Sequence, residues 1–261
     1  MDPRTDGSLG GAAERSHRRR TQVLARAIVA HSPSPGEAFG CPYLNGRQAR
    51  HLTLLPEPLE PGVYHALMDL NFRRLGPVFY RPQCQACDEC RMIRVPVAEF
   101  RPSRAQRRCR ERNRDVSVEV VPPRPSDEKH ALYRRYLSSR HDGQMDGSPV
   151  EFRGFLYASE VATIEVVYRA EGRLLGVALV DVEPLALSAV YCYFDPAQAW
   201  RSPGVVNVLW LIEECRRRGT PYLYLGYYVR DSPKMSYKAS YRPHEILGAD
   251  GRWRLATASG S

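Results

Sequence analysis

Apolar and polar positions along the chain follow two periods, and the change from one to the other marks its elements. Three β-rich segments, 163–169, 174–182 and 188–194, are broken at Gly172 and Pro184, which predicts an antiparallel meander. A strand at 116–121 alternates valines with Ser117 and Glu119, and another is expected at 221–226. Helical spacing replaces this at 127–140, with apolar residues at 131, 132, 136 and 137 behind an acidic first turn, and at 205–218, which Gly219 stops. Shorter helices are expected at 61–70, 102–114 with Ser103 as its cap, and 150–159; a short strand at 51–55 and two more within 72–80 complete the pattern. The proline run at 122–125 divides the chain into an N-terminal unit, 36–122, and a C-terminal unit, 123–261, behind a charged, glycine-containing tail, 1–35, expected to be disordered.

Composition narrows the class. A hydrophobic content of 43% with 26% charged residues is that of a globular chain, and no run approaches the eighteen apolar residues of a membrane span. The basic N-terminus has no apolar core behind it, which argues against a secretory signal, so a cytoplasmic protein is expected. A net charge of +9 favours a polyanionic partner, because Lys and Arg release condensed counterions when they neutralise phosphates. Six arginines fall on the helix at 102–114, where Arg104, Arg107 and Arg108 serve either as phosphate contacts or as a solvated face.

Seven cysteines without a secretory signal read as metal ligands where clustered and as core where scattered. Cys84, Cys87 and Cys90 form CxxCxxC, a spacing that aims three thiolates at one centre, and Cys41 is the natural fourth. Four thiolates suit tetrahedral zinc and a cubane iron–sulfur cluster equally. Cys109, Cys192 and Cys215 sit in apolar patterns and are expected in the core.

Residues 222–245, YLYLGYYVRDSPKMSYKASYRPHE, run from an apolar strand into a dense cluster of Tyr, Lys and Arg. Lysine occurs only at Lys129, Lys234 and Lys238, so two of three fall together in a chain that otherwise uses arginine; both are functional candidates. The element order of two helices, three antiparallel strands, helix and strand predicts an α+β layer with a helix on a mixed, largely antiparallel sheet, the plan of GNAT-type acyltransferases. The turn at 201–204 contains Gly204 but lacks the glycine-rich loop that cradles coenzyme A pyrophosphate, so a donor other than acyl-CoA is expected.

Four segments in one order, CPYL at 41–44, YRPQCQACDECRMIRVPV at 80–97, SAVYCYFDP at 188–196 with RSPG at 201–204, and LGYYVRDSPKMSYKASYRP at 225–243, together with FRPSRAQRR at 100–108, resemble the aminoacyl-tRNA-protein transferases. That family contains the arginyltransferases and the short bacterial aspartate/glutamate leucyltransferases, and the short chain with CxxCxxC resembles the leucyl branch. The resemblance implies a doubled GNAT-like fold and transfer of leucine from leucyl-tRNA to the N-terminal Asp or Glu of an acceptor protein, a step of the N-degron pathway. It implies no cofactor for the chemistry itself. An aminoacyl ester is already activated, so positioning a neutral amine and excluding water suffice. Under this reading Tyr228, Tyr237, Lys238 and Asp195 are catalytic, as oxyanion donors or proton carriers. Lys234, Tyr241, Arg242, Tyr191, His141 and Asp142 bind substrate, while Arg104, Arg107 and Arg108 hold tRNA. An arginyl-tRNA donor, an acetyl-CoA-dependent acetyltransferase and a non-enzymatic RNA-binding module are the competing readings.

Overall fold

Eight strands hydrogen-bond into one mixed sheet in the computed structural model, which describes residues 7–31, 35–55, 58–140 and 147–256. The chain opens with α1 (Gly7–Ala30), the two-residue strands β1 (Phe39–Gly40) and β2 (Gln48–Ala49), β3 (His51–Leu54), α2 (Val63–Asp69), β4 (Arg73–Leu75), β5 (Val78–Pro82) and β6 (Arg91–Pro96). It continues through α3 (Arg104–Arg112), β7 (Ser117–Val121), α4 (Asp127–Arg140) and α5 (Pro149–Phe152), which runs on into a π-helical turn, Arg153–Tyr157. The remainder is β8 (Thr163–Ala170), β9 (Arg173–Glu183), β10 (Ala186–Phe194), α6 (Pro203–Arg218), β11 (Tyr222–Tyr228), α7 (Pro233–Ser236), β12 (Glu245–Leu247) and β13 (Trp253–Leu255).

The strand order is β13-β12-β6-β11-β10-β9-β8-β7, with β3, β5 and β4 in a separate small sheet. Every pairing in the large sheet is antiparallel except that of β10 with β11, so the α+β class with a mixed, largely antiparallel sheet is as expected. Alternate residues of the strands face opposite ways and build separate cores. On one face α6 lays Val208, Leu211, Ile212 and Cys215 over Ile93, Val95, Leu187 and Leu223. Each such buried aliphatic side chain contributes about 2 kcal/mol, and Gly219 ends the helix in the left-handed conformation, at φ 71°. On the opposite face α4 places Leu132, Tyr133 and Leu137 over Leu174, Val177 and Leu179, while α2 and the small sheet cover Met92, Ala186, Tyr224 and Tyr227. Cys109 and Cys215 are buried and Cys192 half-buried, in the core positions expected of them.

Two expectations about organisation are corrected. The tail read as disordered forms α1 over most of its length, because Thr21, Leu24, Ala25 and Ile28 make a stripe at helical spacing that packs on the core beneath α2; Thr21 and Ala25 are buried. The proposed boundary at residue 122 is not a break in the sheet: β7 pairs with β8 across it, and β6 lies between β11 and β12. Among the described residues no helix is long and apolar enough to cross a membrane.

Candidate active site

The one parallel pair opens partway along its length. Strands β10 and β11 are in register only at 186–188 against 222–224, although each stays paired on its outer side, β10 with β9 as far as Phe194 and β11 with β6 as far as Tyr228. Both strands carry an irregularity beyond the last shared pair, between Ala189 and Tyr191 in β10 and between Tyr224 and Tyr227 in β11. An extra residue bends and twists a strand, so two bulges at the same level drive the inner edges apart and leave backbone carbonyls without a ladder partner.

Two cations take those carbonyls. Arg73, on β4 of the small sheet, donates from Nη2 to the Val190 carbonyl at 2.5 Å, and Lys238 donates from Nζ to the Tyr227 carbonyl at 2.5 Å. Gly226, at φ 78°, is required beside the first: a Cβ there would lie 3.1 Å from Cζ and Nε of Arg73. Four tyrosines, Tyr43, Tyr64, Tyr80 and Tyr227, lie within electrostatic range of the guanidinium. Among the described residues neither cation forms an ion pair with a carboxylate. Burial, reinforced by the positive charge of Arg73, pushes the Lys238 amine well below the ordinary lysine range. Lys238 rides on the turn Tyr237–Ser240, which α3 anchors through a hydrogen bond from Gln106 Nε2 to the Ser240 carbonyl at 3.3 Å. That helix starts as its sequence requires, with a reciprocal capping box between Ser103 and Gln106.

Tyr191 and Tyr237 come near this pair of cations, both within electrostatic range of Arg73. Tyr191 is half-buried among Tyr133, Tyr136 and Phe155, and its hydroxyl has no hydrogen-bond partner among the described residues. Tyr237 is 52% exposed, Tyr228 packs half-buried against the core under α6, and Lys234 and Arg242 are exposed. Other candidates are committed elsewhere. Tyr241 is buried in the α6 core with its ring 6.4 Å from that of Phe100. Asp195 accepts from Arg173 at 2.6 Å and from the Ala197 amide at 3.1 Å, so it pins the strand end instead of standing free as a base. His141 and Asp142 lie outside the described residues. Sequence reasoning missed Arg73, whose only signal is a charged pair, Arg73-Arg74, in the middle of an apolar strand pattern.

The cysteines of the CxxCxxC run and Cys41 line one cavity of about 220 Å³, which Tyr43, His51 and Asn71 also border. Cys84 and Cys87 form an isolated antiparallel bridge that folds the loop back on itself. Burial, with the charges of Cys41, Cys84 and Cys87 next in weight, pushes the Cys90 thiol up to about 12. Among the described residues no group of three or more His, Cys, Asp or Glu side chains stands at metal-ligating spacing. Tyr43 and Lys238 are each electrostatically coupled to both Cys90 and Arg73, so the cysteine cavity adjoins the opened strands.

Helix α3 turns Arg104, Arg107, Arg108, Arg110 and Arg112 to solvent and buries Gln106 and Cys109. Trp200 is 55% exposed, with the Arg201 guanidinium 4.5 Å from its ring centroid, and Arg112 reaches Ser202 Oγ at 3.4 Å. The basic helix and this aromatic thus share one side of the molecule.

Comparison with known proteins gives the same family from both halves of the chain. Residues 39–108 match the N-terminal part of the arginine-tRNA-protein transferases, and residues 128–248 match their C-terminal part. An aspartate/glutamate leucyltransferase of Halorhodospira halophila is 46% identical over 220 residues, covering 82% of this chain and 92% of its own. One of Chromobacterium violaceum is 41% identical over 242 residues, covering 92% and 98%. Among solved structures, L-PGS from Bacillus licheniformis overlays loosely, at 14% identity and a TM-score of 0.39 over 66% of this chain and 52% of that one. The chain belongs to the arginine-tRNA-protein transferase family, in the branch of the bacterial aspartate/glutamate leucyltransferases.

Proposed function

We propose that this protein moves leucine from leucyl-tRNA to the α-amine of an N-terminal Asp or Glu, and that the opening between β10 and β11 is where it does so. Identity to leucyltransferases along nearly their whole length supports the reaction. The observation that carries the placement is the opened parallel pair, with two cations bonded to backbone carbonyls and to no carboxylate among the described residues. Lys238, whose charged form is disfavoured by burial, takes one proton from the acceptor's α-ammonium. The freed nitrogen attacks the ester carbonyl carbon, the new C–N bond forms, and the bond to the ribose oxygen breaks. A second proton passes from that nitrogen to the ribose oxygen, which leaves as the free hydroxyl of the tRNA. Tyr191, whose hydroxyl has no partner among the described residues, donates to the oxyanion, and the exposed ring of Tyr237 offers a surface on which the terminal base stacks. Arg104, Arg107 and Arg108, with Lys234 and Arg242 as exposed cations, neutralise tRNA phosphates.

Purified protein incubated with labelled leucyl-tRNA or arginyl-tRNA and peptides beginning with Asp, Glu or Ala tests the reading. Label is expected in the Asp and Glu peptides, from leucyl-tRNA. Label from arginyl-tRNA alone would change the donor, and binding of tRNA without any transfer would return the chain to a binding module.

We also propose that Cys41, Cys84, Cys87 and Cys90 hold one metal centre. What supports it is that four sulfur donors border a single cavity, where burial and the three neighbouring cysteines disfavour the Cys90 thiolate; the side chains would have to draw together around the ion, since they do not stand at ligating spacing without it. Such a centre supplies a cross-link between the turn at 41–44 and the loop at 84–90. Metal analysis of protein purified without oxygen should find zinc or iron near stoichiometry, and the absence of both would remove the centre.

A further inference from the structure

The geometry points to Arg73 as the residue that reads the acidic side chain of the acceptor, its guanidinium pairing with the Asp or Glu carboxylate inside the opening between β10 and β11. This rests on the transfer reaction proposed above and names the part of the site that selects its substrate.

Arginine has five N–H donors, and in this structure Arg73 commits one of them, to the Val190 carbonyl. A guanidinium held partly out of water is commonly paired with a carboxylate, and its fully buried neighbour is: Arg74 binds Asp181 through two nitrogens and also reaches Thr163 Oγ1 and the Gly76 carbonyl. Arg73 has no such partner among the described residues and is surrounded by tyrosines. It is nevertheless half-buried and not sealed, so a substrate group entering between the strands can reach it. Gly226 leaves the space beside the guanidinium clear, and the bulge at Val190 supplies the carbonyl that fixes its position. Pre-positioned donors in a partly dry gap suit a planar carboxylate, which two N–H groups bind in parallel.

The other cations suit this task less well. Lys234 and Arg242 are exposed, where water screens a single charge and discrimination is weak. Lys238 lies in the same gap, but its amine already engages the Tyr227 carbonyl and the Met235 sulfur. A tRNA phosphate is the rival anion for Arg73. The exposed arginines of α3 offer the backbone an unobstructed surface, whereas Arg73 is set between strands, where a short side chain enters more readily than a polynucleotide backbone.

The test measures transfer by wild type and Arg73→Gln to matched peptides beginning with Asp or Asn, with KM for charged tRNA followed in parallel and a thermal melt to confirm folding. Wild type is expected to prefer Asp. In Arg73→Gln that preference should fall by about a hundredfold or more, as when one partner of a desolvated charge pair is removed, through KM for the Asp peptide and with KM for tRNA unchanged. An unchanged Asp-over-Asn ratio overturns the proposal, and so does a rise confined to KM for tRNA, which would make Arg73 a phosphate ligand. If Arg73→Gln does not fold, Arg73→Lys decides: its shorter, unforked cation should lower the preference by about tenfold, and an intact preference overturns the assignment. Should wild type use arginyl-tRNA and not leucyl-tRNA, the leucyl reading fails while the same comparison still tests Arg73. No transfer from either donor removes both.

Discussion

Arg73 and Arg74 are consecutive on β4, and the sheet beneath them makes them opposites. Arg74, 1% exposed, lies where β9 and β10 are closed and meets Asp181, a fully buried carboxylate. Arg73 lies where β10 has bulged away from β11, and it meets only a carbonyl among the described residues. Successive strand residues point to opposite sides, so a single step along β4 moves a guanidinium from a satisfied pair to an unfinished one. The difference lies in the partner that the fold supplies. Where the parallel pair is closed, buried charge holds the small sheet to the large one; where it is open, a half-buried charge meets no carboxylate among the described residues.

Breaking the closed half should give the largest effect. Asp181→Ala leaves Arg74 buried without its carboxylate, and burial already disfavours the charged form of Asp181, an effect that the Arg74 charge and hydrogen bonds oppose. The expected loss is about 3 to 5 kcal/mol in denaturant unfolding. An equal loss from Arg73→Met would erase the distinction; that variant is expected to stay within about 1 kcal/mol of wild type, because no buried carboxylate is stranded.

Lys238→Met sharpens the open half by separating proton transfer from acceptor choice. Loss of a general base should lower kcat by about 10² to 10⁴. The Asp-over-Asn preference should survive, since Arg73 remains against Val190. Loss of the preference together with rate would make the two cations one recognition unit.

Glu183 offers a carboxylate near the closed half that has amides in place of a guanidinium. Its Oε2 accepts from the Gly62 amide at 2.6 Å and the His65 amide at 3.4 Å, at the start of α2. Burial outweighs those bonds and raises its carboxyl to about 7. The folded state therefore holds the proton more tightly than the unfolded chain, so the stabilisation is complete below about pH 4.5 and is lost as pH rises toward 7. Glu183→Gln should remove that pH dependence, and the two stability curves should diverge across this window by no more than about 3 kcal/mol. Parallel curves would place the proton elsewhere.

Much of the scaffold was legible because its signals are local. Valine alternation in β8–β10, the glycine after α6 and the cap at Ser103 each report on a few neighbouring residues. Strand β6 was not seen, since RMIRVP follows directly on the cysteine run and owes its place to β11, more than a hundred residues later. Helix α1 was hidden by its charge, although the stripe of Thr21, Leu24, Ala25 and Ile28 is present in the sequence. For the proposed site, the paired lysines drew attention to the turn beside the opening, where Lys238 reaches the Tyr227 carbonyl while Lys234 faces solvent. Arg73 was illegible for a physical reason. Its meaning comes from the Val190 carbonyl, 117 residues away, and from the lack of a carboxylate among the described residues around it, and neither leaves a local pattern.

A third setting completes the comparison: arginine in water. On α3 the side chains of Arg104, Arg107 and Arg108 are exposed, and the capping box, Gln106 and Cys109 hold the helix without them. Replacing all three with Gln should leave the melting temperature nearly unchanged, because surface substitutions away from caps and pairs stay within about 0.5 kcal/mol each. If they touch tRNA, the slope of log affinity against log salt should flatten by about 0.7 to 0.9 for each phosphate that is no longer neutralised, while the Asp-over-Asn preference stays that of wild type. An unchanged slope would make α3 a solvated face and move the tRNA path toward Trp200 and Arg201 on the neighbouring turn. A changed acceptor preference would instead mean that the exposed helix reaches the opening through the Gln106–Ser240 hydrogen bond, and that the exposed and buried arginines are coupled.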